Sequence, residues 1–394
     1  MKKGWETKPL GEVCEIIKGR KPALKPTQGK GDLPYLVAKF MRGVQEPEFA
    51  SVNDRNSVTV EESETIIICD GSNSGEVFTG YRGILSSTMG KIAKKAEIHD
   101  GYLRAFLAST FEIFNGAKTG AAIPHLDKEA MYGLEFSFPP LAEQQRIVGV
   151  LDEAFAGLAT AQAHAAQNLQ NARALFESHL QSVFTHRGKG WVETTLGDVC
   201  DFLNGFAFKS GDAVPESQTQ LVRMGNLYGN RLDLDRSPVF YPDDFAAEYS
   251  RYVLAEGDII MSLTGTTGKE DYGFAVRIPD CGHTLLMNQR LMKFEAIRQD
   301  IIDDGYLLHY LRSRCFLDIL YPTANGTRQA NLSSVTMKSL PVPLPALREQ
   351  KHLVTQLDAL AAETQRLTRL YEQKQAALAA LKKSLLHQAF TGAI

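Results

Sequence analysis

The stretch whose residue types come closest to chemistry is Gly265 to Glu270, GTTGKE. A glycine-rich turn ending in Gly-Lys could cradle phosphates with its backbone N–H groups and reach them with Lys269. The spacing refuses it. A phosphate loop needs glycine where Leu263 stands, and a magnesium-binding Ser or Thr where Glu270 stands. Phe138-Pro139-Pro140-Leu141 fails as the tetrapeptide of amino-methyltransferases, which needs Asn or Asp before the prolines and an aromatic after them. Pro242-Asp243-Asp244 has no acid-x-Lys following at a useful distance to complete a nuclease site, and HExxH, GxSxG and paired Cys-His spacings are missing from the sequence. Cys14, Cys69, Cys200, Cys281 and Cys315 form no CxxC pair. These residue types at these spacings make neither a catalytic constellation nor a metal site.

What the sequence does contain is a duplication, and it organises the chain. LEFSFPPLAEQQRIVGVLD from Leu134 recurs as LPVPLPALREQKHLVTQLD from Leu340, a constant 206 residues on, with Pro139/Pro345, Glu143/Glu349, Gln144/Gln350, Leu151/Leu357 and Asp152/Asp358 identical. Each copy opens on a proline-containing extended run and then continues almost free of glycine and proline, which predicts one long helix. In the second, Leu353, Leu357, Leu360, Thr364, Leu367, Tyr371, Lys374, Leu378, Leu381 and Leu385 fall at alternating spacings of four and three, the seam of a coiled coil. The first copy puts Ile147, Leu151, Leu158 and Leu175 at equivalent positions, with alanines between. A leucine-rich seam fits an alanine-rich one at close approach, so the two helices are expected to pair antiparallel within the chain.

A second duplication opens the globular parts. GWETKPLGEVCEIIKG from Gly4 matches GWVETTLGDVCDFLNG from Gly190 at an offset of 186, pairing Cys14 with Cys200 and favouring small buried residues there over a disulfide. Between the anchors, short apolar runs alternate with turn residues: Tyr35 to Ala38, Thr65 to Cys69 and Gly90 to Ala93, then Gln220 to Met224, Asp258 to Leu263 and Leu291 to Phe294. The expected class is α/β, of mixed α+β type. Its parts are a globular domain over 1–142, a helix over 143–188, a second globular domain over 189–346 and a second helix over 347–394. The sequence lacks both an apolar run long enough for a membrane span and a signal core, so a cytoplasmic location is expected. The net charge of −3 is weak for a chain gripping nucleic acid by itself. Two similar, diverged domains on helical spacers suit a reader of two unlike half-sites. They also suit a duplicated coiled-coil scaffold that binds proteins without DNA specificity.

The duplicated FPPLAEQ/LPALREQ anchor, the duplicated GW…LG(E/D)VC opening and the domain-helix tandem resemble the specificity subunit of a type I restriction-modification system, over essentially the whole chain. The resemblance implies two target recognition domains reading a bipartite, asymmetric double-stranded DNA target. It further implies two modification (methyltransferase) subunits, which bring S-adenosylmethionine and close around the DNA, and restriction subunits joining the assembly. This chain itself would be non-catalytic and without a cofactor. Base readout needs polar side chains on exposed loops, with glycine allowing close approach. In the first domain the candidates are Arg20, Lys21, Lys39, Arg42, Ser72, Asn73 and Lys118. In the second they are Lys209, Arg223, Asn226, Thr266, Thr267, Lys269, Arg328 and Gln329. Glu143, Gln144, Glu349 and Gln350, at the helix starts, are the candidates for docking the modification subunits.

Overall fold

Short β-branched and aliphatic runs, bounded by glycine and polar residues, form strands that the chain pairs over long range. The structure, a computed structural model, describes residues 4–116, 124–326 and 329–394. It divides into two compact units, Met1–Ala166 with Glu372–Ile394, and Gln167–Tyr371.

In the first unit, β1 (Glu6–Pro9) precedes β2 (Cys14–Lys18), β3 (Asp32–Leu36), β4 (Phe49–Ser51), β5 (Thr59–Val60), β6 (Ile66–Ile68), β7 (Val77–Phe78), β8 (Gly83–Leu85), β9 (Met89–Lys94) and β10 (Glu135–Phe138). They form two four-stranded sheets, ordered β2-β9-β6-β7 and β4-β3-β8-β5, and a β1-β10 ribbon. All described pairings in this unit are antiparallel except β3 with β8.

The second unit repeats this with β11 (Val192–Thr195), β12 (Asp201–Asn204), β13 (Thr219–Val222), β14 (Phe240–Tyr241), β15 (Val253–Leu254), β16 (Ile259–Ser262), β17 (Thr264–Thr266), β18 (Ala275–Arg277), β19 (Thr284–Met287), β20 (Leu291–Glu295), β21 (Gln329–Asn331) and β22 (Pro341–Leu344). The sheets run β12-β20-β16-β18 and β14-β13-β19-β15, the ribbon is β11-β22, and β13 pairs with β19 in parallel. β17 and β21 form an additional ribbon; in the first unit the described residues pair here through a bridge between Asp70 and His125. Mixed, mostly antiparallel sheets are what the alternating runs predict.

The long helices span Leu141–Thr185 and Leu347–Thr391. Both serve both units. In the first, Ile147, Val148 and Leu151 of one share a core with Leu386 and Ala389 of the other. In the second, Leu180 and Phe184 share a core with Leu357. The helices therefore meet start against end, antiparallel. Phe390 sits 5.2 Å from the Tyr102 ring and 5.3 Å from Phe106, and Phe184 sits 5.4 Å from Tyr306 and 5.3 Å from Tyr310.

The expected seam holds at Ile147, Leu151, Leu158 and Leu357, which are buried, and Leu353, Leu360, Leu367 and Leu378 are half-buried. It fails at Leu175 and Leu381, which are 51% and 48% exposed. A straight helix turns 3.6 residues, not 3.5, and drifts about 20° per heptad, so the inward face slides to neighbouring positions. Leu180 and Phe184 take it over on the first helix, and Leu386 and Ala389 on the second.

Gln144 and Gln350 also need correcting. They are 1% and 0% exposed, and they latch each helix to its own unit instead of facing a partner. Gln144 accepts from the His99 N–H (2.9 Å) and donates to the Pro139 carbonyl (2.8 Å). Gln350 accepts from the Asp303 N–H (2.8 Å) and donates to the Pro345 (2.9 Å) and Ile301 (3.0 Å) carbonyls. Glu143 forks onto Arg146, and Glu349 accepts from the Trp191 indole at 3.0 Å; both stay at the surface. Cys14 and Cys200 are buried free thiols, and burial pushes them up to about 11 and about 12. They are protonated packing residues, as their repeated position implies.

Candidate nucleic-acid interface

Two strands running parallel end at the same edge of a sheet, so the segments that leave them meet. In the second unit β13 and β19 end in register at Val222 and Met287, which brings Arg223–Asn226 beside Asn288–Arg290. A cleft of about 440 Å³ opens there, lined by Arg223, Met224, Gly225, Asn226, Arg236, Ser237, Asn288, Gln289 and Arg290. Its lining holds three guanidinium groups and no carboxylate, the electrostatics of an anion site.

The cleft is built by side chains that bind the backbone. Asn226, 3% exposed, accepts from the Arg223 N–H (2.8 Å) and donates to the carbonyls of Asp233 (2.8 Å) and Arg236 (3.1 Å). Expected on an exposed reading loop, it is instead the residue that holds that loop in place. Arg223 donates to the Ser237 carbonyl, and the Arg236 guanidinium lies 5.5 Å from the Tyr228 ring centroid. The β17–β21 ribbon starts at the rim, since the Leu263 N–H donates to the Arg290 carbonyl (2.9 Å) and Thr264 donates to the Met224 sulfur (3.2 Å). This ribbon carries Thr266 and Gln329, and the turn after β17 carries Thr267 and Lys269. Thr266 binds Asp271 through backbone and hydroxyl (both 2.7 Å), Thr267 donates to the Gly326 carbonyl (3.2 Å), and the exposed Lys269 side chain has no hydrogen bond or ion pair to a described residue. Lys209 is exposed too, away from the cleft lining. Arg328 and Lys118 lie outside the described residues.

The first unit places its candidates on the same frame with different fates. Leu36 and Leu85 end the parallel pair, and Lys39 and the Ser86–Thr88 turn follow them. Lys39, Arg20 and Lys21 are exposed and without a described ion pair. Arg42 is spent on a forked pair with Glu76 and lies 5.9 Å from the Phe78 ring, while Asn73 donates to Glu76 at 3.3 Å. Ser72 is exposed at the tip of the same loop. Beneath it, Lys18 (2.7 Å) and His125 (2.7 Å) flank Asp70. Burial alone would raise the Asp70 carboxyl, but the Lys18 and His125 hydrogen bonds and charges together hold it below the usual carboxylate range.

Sequence reasoning missed Arg236, Asn288, Gln289 and Arg290. The one local signal was the polar triplet Asn-Gln-Arg interrupting two apolar strands, in a region read only for its strands. Among the described residues no group of three His, Cys, Asp or Glu side chains could hold a metal ion, and no helix is long and apolar enough to cross a membrane.

Residues 2–167 and 188–376 match the family described as type I restriction modification DNA specificity domain. The chain is 27% identical over 406 residues to the type I restriction enzyme MjaVIII specificity subunit of Methanocaldococcus jannaschii, covering 99% of this chain and 93% of that protein. It is 22% identical over 409 residues to the EcoDI specificity subunit of Escherichia coli, covering 98% and 88%. The fold matches the HsdS subunit from Thermoanaerobacter tengcongensis with a TM-score of 0.57, 18% identity and coverage of 100% and 98%. A chain from a structure of type I R-M complex assembly and conformational transition matches with a TM-score of 0.73, 18% identity and 98% coverage of each chain.

Proposed function

The chain belongs to the type I restriction modification DNA specificity family, and from that premise we propose that it reads a bipartite, asymmetric DNA target, one half-site with each globular unit. The observation that carries this is the pair of loop clusters on matching frames, at the ends of β3/β8 and of β13/β19, filled with unlike side chains. One frame with two fillings suits one target with two unlike halves. The segments act as recognition domains at 1–142 and 189–346, with the helical segments 143–188 and 347–394 setting the spacing between half-sites. Methylation and cleavage belong to the partner subunits: two modification subunits carrying S-adenosylmethionine and, through the assembly, the restriction subunits. Glu143 and Glu349, at the surface of the helix starts, remain the docking candidates. Family membership weighs against the protein-only scaffold.

The test is methylome sequencing of a host without its own adenine methylation, carrying the modification subunit with and without this chain. A bipartite methylated motif that depends on this chain is expected. A complex that forms yet methylates no defined motif overturns the reading.

A further inference from the structure

The polar side chains around the second unit's cleft are unequally committed. Asn226 makes three hydrogen bonds to backbone, Arg223 and Arg236 are each engaged within the unit, and Asn288 caps the turn it opens. The side chains of Gln289 and Arg290 are exposed and make no hydrogen bond or ion pair with a described residue. The backbone beneath them is pinned from every side. The Asn288 N–H donates to the Val222 carbonyl (3.1 Å), Gln289 N–H to Phe206 (2.9 Å), Arg290 N–H to the Asn288 side chain (3.1 Å) and Leu291 N–H to the Asn288 carbonyl (2.9 Å). Gly205 packs so closely that a Cβ there would lie 2.1 Å from the Asn288 oxygen. Two long donors, uncommitted within the unit, thus project from a fixed turn into a cleft with no carboxylate to quench them.

That combination separates base reading from phosphate gripping. A phosphate can be met by a cation on a mobile stem, whereas a bidentate contact to a base edge needs the side chain's origin held in place. The two residue types are those that pair bidentately in the major groove, Gln with adenine N6/N7 and Arg with guanine O6/N7. The first unit has an equivalent turn that shares part of this pinning: Gly19 packs on the Ser86 carbonyl, where a Cβ would come within 2.2 Å, and the Met89 N–H donates to Ser86 at 3.0 Å, while the Ser87 N–H donates to the Tyr35 hydroxyl at 3.4 Å. Its side chains are Ser86, Ser87 and Thr88, with Ser86 and Thr88 hydrogen-bonded to each other at 2.9 Å.

We infer that Gln289 and Arg290 are specificity-determining residues of the second unit, reading purine edges in its half-site from the β19–β20 turn. The inference rests on the DNA-reading role proposed above. It is tested in the complex with the modification subunits, by measuring binding to duplexes that carry the wild-type motif and each single base-pair change in it. Arg290→Ala and Gln289→Ala should each erase discrimination at one position of one half-site, by roughly tenfold or more. Arg290→Lys, which keeps the charge but not the fork, should fail to restore it, and the other half-site should be read as before. Uniform weakening at all positions would reassign the pair to phosphate contact, and an unchanged profile would remove both residues from recognition; either overturns the inference while leaving the family reading intact. A wild-type complex with no base preference would instead sink the DNA-reading role, and this inference with it. Both side chains are exposed, so unchanged thermal unfolding of the variants checks that the effect is local.

Discussion

The turn after β8 carries Ser86, Ser87 and Thr88, and the turn after β19 carries Asn288, Gln289 and Arg290, yet three backbone bonds hold both: Ser86 and Asn288 donate to Leu36 and Val222, Met89 and Leu291 to Ser86 and Asn288, and Gly19 and Gly205 to Met89 and Leu291. The same contrast runs through both units. Leu10 and Leu196 donate to the carbonyls of Leu134 and Leu340 at 2.8 and 2.9 Å, and Tyr102 and Tyr306 donate to the carbonyls of Ser137 and Pro343. Gly101 and Gly305 each lie where a Cβ would meet a valine methyl, Val148 or Val354, at 2.8 Å. What differs sits on the rims and in filler positions. The second unit packs His309 and Arg312 where the first has Ala105, Ala108 and a cleft of about 200 Å³. Contacts that close the fold tolerate little change, because the atoms there already touch or share a hydrogen bond; side chains that face solvent or fill slack are free to diverge.

The largest expected effect tests the shared frame. Gly19→Ala and Gly205→Ala each drive a Cβ into a carbonyl oxygen, and each should cost about 3 kcal/mol by the overpacking rule in denaturant unfolding. A variant tolerated in one unit and not in the other would break the equivalence of the two turns. The helix latches come next. Gln144→Ala and Gln350→Ala leave a part-buried N–H, of His99 or Asp303, without its acceptor, at about 1–3 kcal/mol each. Gln350 should cost more, since it also holds the Ile301 carbonyl. Equal losses would show that this third bond contributes nothing.

The smallest effect sharpens the difference instead. His309 is buried against Asp358 (2.7 Å), and burial outweighs that carboxylate to hold the imidazole below its ordinary value, with the Arg312 and Arg277 charges acting in the same direction. A folded-state value below the unfolded one means the unfolded chain takes up the proton first as pH falls. This contribution to stability is therefore complete above about pH 6.5 and declines below it. His309→Ala, which copies Ala105 of the first unit, should flatten stability against pH between about 6.5 and 5, above the range where carboxylates titrate. An unchanged slope would mean that His309 takes up its proton over the same pH range folded and unfolded.

Much of the frame was legible because it is local or repeated. The 206-residue repeat and its heptads located both long helices, and the Cys14/Cys200 match pointed to buried thiols. The apolar runs near Thr65–Cys69 and Asp258–Leu263 became β6 and β16. The candidate interface was legible only in part. Arg223 stands in the cleft as a loop arginine should, but Arg42 looks equally exposed in sequence and is taken by Glu76, which lies 34 residues away. Asn226 and the repeated Gln144 and Gln350 read as surface polar groups and are in fact internal fasteners, because a buried amide can satisfy several backbone groups at once.

By itself, then, the sequence determined that the chain is a tandem of like units with long paired helices, since spacing, period and repetition survive without knowing any contact. Only the tertiary structure decided where each helix ends its work. Phe184 enters the core that holds Tyr306, and Phe390 the core that holds Tyr102, although each follows the other unit's anchor in the chain. It also decided that Gln289 and Arg290 share a cleft with Arg223. That meeting depends on the parallel pairing of β13 with β19, a contact across more than sixty residues that nothing in either segment announces.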